Sequence, residues 1–385
     1  MMEHRSALPS SPFATRLWSA LLYVSPTLLL PAIILPGLLP QRAQCQISHP
    51  IPAPPLRDGR HDFDFNLGTW HTHIRRVLNP LDGSGNAIEL NGTVTVSRIW
   101  DGAEIEQIEA DGSRGHWEGL SLFLYNPQSR QWNQYFINSK IADLGSPLTG
   151  EFRDGRADLY SSDTFNGKSI LVRGVWSQIL PNSHRYEEDF SQDGGQNWRL
   201  SFVADLRREN PATPTAVAPP LDPALTGQHD FDFDSGTWKT RTTRMPHPLT
   251  GSTAWVDLEG ATVVHKVWNG RANLAEYTAR GPSGTIQLLA LRWFNPNNGE
   301  WNLDFANPNT GTLGVPGVGV FKNGRADFYN YEPINGRSTL VRFSIWGSAP
   351  GHAQSEQAFS PDGGKTWEVN WINHYSRQPN QMAQR

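Results

Sequence analysis

The chain has 385 residues, a formal net charge of -4 and only 18% charged residues, and no run of Lys and Arg forms a basic stripe. That balance excludes nucleic acid as an expected partner. The single cysteine, Cys45, excludes an internal disulfide framework and a thiolate metal cluster, so the fold has to rest on apolar cores.

At the N-terminus, Arg5 and Arg16 precede an uncharged stretch from Leu17 to Gln41, rich in Leu and Ile. Residues 1–45 read as a signal peptide, with small residues at Ala43 and Cys45 where a signal peptidase inspects, or as a retained N-terminal membrane anchor. The stretch is long enough to span a bilayer, while Pro26, Pro31 and Pro36 oppose a regular spanning helix. The protein is therefore expected to be exported, periplasmic or secreted, with any membrane attachment made only through this segment.

After the leader the apolar residues alternate in short runs, at 92–100, 119–125, 132–137, 169–176 and 198–206. Turn signals separate them: Asp82-Gly83, Asp101-Gly102, Asn126-Pro127, Asp154-Gly155, Asn166-Gly167 and Asp193-Gly194. Short strands joined by hairpins at this spacing predict an antiparallel sheet, and closure into a barrel removes its exposed edges. The same signals then recur. His61-Asp62-Phe63-Asp64-Phe65 with Gly68-Thr69-Trp70 returns as His229 to Phe233 with Gly236-Thr237-Trp238. Phe190-Ser191-x-Asp193-Gly194-Gly195-x-x-Trp198 returns as Phe359 to Trp367. Two ordered sets of this length mean two copies of one domain. Residues 58–209 and 227–377 are the expected barrels, and 210–226, rich in Pro, Ala and Thr, is the expected linker.

The Gly-x-Trp at Gly68 and Gly236, with its Phe-Asp-Phe lead-in and the closing Ser-x-Asp-Gly-Gly-x-x-Trp, resembles a bacterial family of uncharacterised lipocalin-like, calycin-type domains. The resemblance implies an all-β fold of two tandem antiparallel lipocalin-like β-barrels that enclose an apolar or aromatic ligand, and it brings no settled catalytic residues. It also implies an Arg covering the first-strand Trp, for which Arg207, Arg208 and Arg377 are the candidates.

Duplication separates scaffold from function, because a residue used by one copy alone is not required by the shared fold. Asp62 and Asp64, if extended, place two carboxylates about 7 Å apart on one side; their recurrence as Asp230 and Asp232 favours a structural lock. The Asp-box hairpins recur and read as turns. His71 and His73 share a strand face but become Lys239 and Arg241, so no metal site is expected there, and no motif for a cofactor is present. By sequence matching, Trp70, Trp100, Trp132, Trp176 and Trp198 pair with Trp238, Trp268, Trp301, Trp346 and Trp367. Trp117, Trp293 and Trp371 are then single-copy aromatics suited to ligand stacking. Glu187 and Glu356 are the candidate pocket acids, Arg173 and Arg342 the candidate partners for an anionic group, and Tyr186 a further copy-one polar aromatic. These residues, with no catalytic residue assigned, predict a non-catalytic protein that binds a small apolar or amphipathic molecule. An isomerase, cyclase or hydrolase using an aromatic-lined cavity, and a structural or interaction module, are the competing classes. Binding requires an open cavity of at least about 300 Å³ in one barrel.

Overall fold

The computed structural model describes residues 57–208 and 227–377; the leader with Cys45 and the 210–226 linker lie outside the described residues. The first repeat forms β1 (Gly68–Val77), β2 (Ala87–Trp100), β3 (Ala103–Gly112), β4 (Gly115–Asn126) and β5 (Gln131–Asn138). It continues through β6 (Leu148–Arg153), β7 (Arg156–Phe165), β8 (Lys168–Leu180), β9 (Ser183–Ser191) and β10 (Arg199–Arg208). The second forms β11 (Gly236–Arg244), β12 (Val256–Val267), β13 (Ala272–Gly281), β14 (Gly284–Asn295) and β15 (Glu300–Ala306). It ends with β16 (Gly317–Lys322), β17 (Arg325–Ile334), β18 (Arg337–Ala349), β19 (His352–Ser360) and β20 (Glu368–Arg377). Each strand pairs with its sequence neighbours, and β10 closes on β1 as β20 closes on β11. The result is two closed, antiparallel, up-and-down barrels with no free edge, the all-β class the repeat predicts.

The duplicated lead-in closes one end of each barrel. Residues 64–66 form a short 3-10 turn, so Asp62 and Asp64 are not extended neighbours. Asp64 instead meets Arg98 at 2.6 Å and Asp62 meets Arg57 at 2.5 Å. Phe63 enters the base and packs its ring within 4.9 Å of Phe123, Trp132 and Phe152. Trp70 and Trp238 donate their indole N–H groups to the backbone oxygens of Asn66 and Asp234. Arg208 lies 3.8 Å over Trp70 and Arg377 lies 4.0 Å over Trp238, which selects Arg208 rather than Arg207 as the covering cation. The Gly of Gly-x-Trp follows from this contact. Gly68 has φ +111°, and a Cβ there would stand 2.5 Å from Arg208 Nη1.

Both Asp boxes are hairpin turns. Asp193 accepts from the backbone N–H and side-chain amide of Asn197, and Ser191 Oγ accepts from Gly195 N. Asp362 and Ser360 repeat these bonds with Thr366 and Gly364.

The barrels join face to face. Outward side chains of β3 and β4 (Ile105, Leu120, Leu122, Leu124) and of β13 and β14 (Leu274, Leu289, Leu291, Trp293) form one buried cluster. Register makes each of these the counterpart of a residue across the seam, so the interface is pseudo-two-fold, like a fused homodimer. Arg271 donates to both carboxylate oxygens of the buried Glu118 at 2.8 and 2.6 Å. Gly311, at φ +57°, passes so close to Tyr125 that a Cβ would meet its carbonyl oxygen at 2.0 Å.

One sequence pairing changes. Trp176 opposes Ala157 and Tyr186, and the residue in that place in the second barrel, opposite Ala326 and Ser355, is Ile345. Trp346 is one residue out of step and therefore on the other face, where Arg325 covers it at 4.3 Å. Trp176 thus belongs to barrel one alone.

Candidate functional site: the interior of barrel one

Opposite the Phe63 plug, barrel one opens on a cavity of about 400 Å³, above the size a small-molecule site needs. Ile74, Val94, Ile108, Leu148, Val172 and Ala204 supply its aliphatic wall, and Trp176, Tyr186, Phe190 and Phe202 its aromatic wall. Strand alternation explains the selection, because every one of these residues occupies the inward phase of its strand. Arg76, Trp117, Phe136, Asn138 and Ile141 stand toward the mouth, and Arg76, Trp117, Asn138 and Ile141 continue into an adjoining recess with Arg114, His116 and Lys140.

Polar side chains interrupt this apolar chamber, among them Thr72, Glu106, Ser121, Gln134, Glu188 and Ser201, and Asp143, Ser161 and Asp163 also border it. Glu106 accepts from Asn66 Nδ2 at 3.1 Å and from Ser121 Oγ at 2.8 Å. Glu188 accepts from Ser201 Oγ at 2.8 Å. Burial pushes both carboxyls above the usual carboxylate range, against the lowering effect of those hydrogen bonds. Burial also drives the Tyr186 phenol well up, and the charges of Glu188 and Glu106 act in the same direction. Gln134 Oε1 accepts from Trp176 Nε1 at 3.0 Å, which fixes the indole in the wall. Thr72 Oγ1 is buried with no hydrogen-bond partner among the described residues.

Two further titratable groups lie at the closed end. His184, packed 4.3 Å from Trp70, is lowered to about 3 by burial and by Arg208, and so stays neutral. Glu104 is buried, with Oε2 unpartnered, and burial pushes it up to about 8 from 4.5. The folded state therefore keeps a proton that the unfolded chain loses near pH 4.5, and folding stability falls as pH rises from there to about 8. Asn273 holds the matching position in barrel two, so an amide suits the site. Glu104→Gln is expected to raise stability by about 3 kcal/mol above about pH 8 and to leave it nearly unchanged near about pH 4.5. Urea unfolding at the two pH values reads the difference, and an equal effect at both would contradict it.

Barrel two has the same architecture, with a polar network bonded across its interior. Thr242 and Tyr277 stand where barrel one has Ile74 and Ile108. Asn373 and Tyr375 replace Ala204 and Leu206. These side chains bond one another: Thr242 Oγ1 to Asn373 Oδ1 at 2.6 Å, Thr242 to Tyr277 at 2.8 Å, and Asn373 Nδ2 to Ser355 at 3.0 Å. Phe343 fills the space that Gly174 leaves beside Tyr186 in barrel one.

Placement sorts the residues singled out from sequence. Trp117 and Tyr186 line the barrel-one cavity. Glu187 points outward and pairs with Arg185 at 2.9 Å, so the cavity acid of β9 is its neighbour Glu188. Glu356 likewise faces outward, bonded by Gln354. Arg173 and Arg342 are outside, lying 4.7 and 4.5 Å over Trp198 and Trp367, where they secure the Asp-box hairpins. Trp293 is buried in the seam and donates to Ala142 O. Trp371 lies inside barrel two, bonded to Asn373 and covered by Arg244 at 5.2 Å. Sequence reading missed Glu106, Glu188 and Trp176. Ala275, Gln357 and Ile345 occupy their places in copy two, a difference that counting from the shared Arg173 and Arg342 would have exposed for the last two.

Fold and cavity together define a pair of ten-stranded barrels in one chain, one holding a cavity and the other crossed by a bonded polar network. No protein-family model and no curated protein matches the sequence. Among solved structures the chain is similar to an S-type phycobiliprotein lyase from Guillardia theta, at 9% identity and a TM-score of 0.30, over 40% of this chain and 94% of that one. It is also similar to a protein of unknown function of the DUF3598 family from Nostoc punctiforme, at 12% identity and a TM-score of 0.22, over 84% and 100% of the two chains. A third is a mutant of transferrin binding protein B from Haemophilus parasuis, at 7% identity and a TM-score of 0.18, over 80% and 76%. Likenesses this low assign neither a family nor an activity.

Proposed function

We propose that the protein is an exported small-molecule binding protein whose site is the interior of barrel one, with barrel two as its packed structural partner. The observation that carries this reading is the asymmetry of the duplication: the same fold keeps a cavity of about 400 Å³ in one copy and a bonded polar network in the other. A scaffold has no need to leave one of two equivalent interiors empty, because a void forfeits packing energy. The mainly apolar wall suits an apolar or amphipathic molecule. Expected is one site per chain. Titration with Nile red, a neutral solvatochromic dye, should give a blue-shifted emission saturating at one equivalent. Saturation at two equivalents, or no shift, would remove the reading.

Acid–base catalysis on the bound molecule is a second reading, favoured by three titratable groups, Glu106, Tyr186 and Glu188, that burial perturbs within one cavity. Native mass spectrometry of protein taken from its own host separates the two. A binder carries its ligand unchanged through incubation, whereas a catalyst exchanges it for a product of altered mass or structure.

A further inference from the structure

The charge inside barrel one is one-sided. Glu106 and Glu188 stand in its wall, on β3 and β9, and Asp143 and Asp163 border the same cavity, while the cation whose field reaches Glu188 is Arg76, at the mouth. Glu106 receives hydrogen bonds from neutral donors only. Glu188 receives one, from Ser201, and no protein donor among the described residues meets its second oxygen. Thr72 adds an unpartnered buried hydroxyl on the same wall. Neither acid belongs to the fold, since Ala275 and Gln357 hold these places in barrel two. A carboxylate enclosed by apolar walls is costly unless a cation or several donors compensate it; without one the acid is driven to hold its proton, and a cationic ligand supplies the partner that the ionised form lacks.

On the reading that barrel one is the binding site, we infer that its ligand is an organic cation: an ammonium or amidinium group on an aromatic or apolar body, held between Glu106 and Glu188. The aromatic wall supports the same charge, because the faces of Trp176, Tyr186 and Phe202 attract a cation while their area receives the apolar body. When ionised, Glu106 and Glu188 also repel a carboxylate or phosphate from the interior, which makes the cavity selective against anionic amphiphiles of equal size.

Three matched probes test the charge: 2-naphthylmethylamine, 2-naphthylmethanol and 2-naphthoate, titrated calorimetrically into the full chain near neutral pH, with Nile red followed in parallel. The amine is expected to bind at least about tenfold more tightly than the alcohol, and the carboxylate most weakly. In Glu188→Gln the lead of the amine over the alcohol should shrink to less than about threefold, with the alcohol's affinity preserved. The residue at that place in barrel two is already Gln357, so the variant is expected to fold, and Glu106→Gln provides an independent second readout. Equal or tighter binding of the alcohol or the carboxylate would overturn the inference, as would an amine preference that survives both substitutions. Should neither Nile red nor any naphthyl probe bind, the binding reading itself fails. Should the dye and the alcohol bind at one equivalent without amine preference, only the charge assignment fails.

Discussion

Asp234→Asn alone is expected to destabilise the chain by about 3–5 kcal/mol, among the largest single effects available in the described residues. Asp234 and Arg292 form an ion pair buried at the base of barrel two, with the Arg292 guanidinium also 4.7 Å over the Phe231 ring. Removing the carboxylate's charge strands a guanidinium that cannot give up its proton, with only neutral amide oxygens left to accept from it: the one introduced at position 234 and Asn273 Oδ1 at 3.3 Å. The reverse single change, Arg292→Phe, should cost less and less still as pH falls, because a stranded carboxyl can neutralise itself by taking up a proton. Barrel one has already solved the same packing problem without an ion pair: Asn66 and Phe123 occupy these places, and Phe123 sits 4.8 Å from Phe63. The double variant Asp234→Asn/Arg292→Phe is therefore expected to recover most of the loss. A residual cost of about 1–2 kcal/mol should remain, because the new amide meets Ala275 instead of the Glu106 that holds Asn66. Urea unfolding of the four-member cycle measures the coupling directly. If the double variant is as unstable as the sum of the singles, the pair is not a replaceable local unit.

The architecture was readable because it is written in short-range chemistry. Alternation, turn dipeptides and a repeated Gly-x-Trp specify closed antiparallel barrels, and Arg208 over Trp70 follows from a cation and an indole brought together by closure. The face of a residue was harder, since one step along a strand reverses it. Trp176 and Trp346 match as letters but lie on opposite faces, and Glu187 stands one residue from the acid that lines the cavity. The seam left a trace that alternation alone does not decode: 122–125 is apolar on both phases, because Leu122 and Leu124, with Leu120, cover the other barrel while Phe123 and Tyr125 face inward. Whether a barrel is hollow was not readable at all. It depends on the summed volume of residues from ten strands, where Ile108 against Tyr277 or Gly174 against Phe343 decides between space and contact.

Ala204→Trp tests that difference in volume and should abolish ligand binding. Ala204 stands between Ile74 and Tyr186 in the register, and its side chain borders the cavity. A tryptophan placed there projects into empty space, so overpacking should cost no more than about 1–3 kcal/mol and the barrel should stay closed. The space it takes is the space a ligand needs, and affinity for Nile red or for the naphthyl probes is expected to fall at least about 100-fold, close to 3 kcal/mol. Asn373→Ala is the matching change in barrel two. It breaks the bonds to Thr242, Ser355 and Tyr375 and should lower stability by about 1–3 kcal/mol. Its effect on affinity should stay within about twofold, because the network it damages is not the site. The opposite pattern, with binding intact after Ala204→Trp and lost after Asn373→Ala, would move the site to barrel two. It would also mean that the filled interior opens to receive its ligand, since the polar network would then have to part around the incoming molecule.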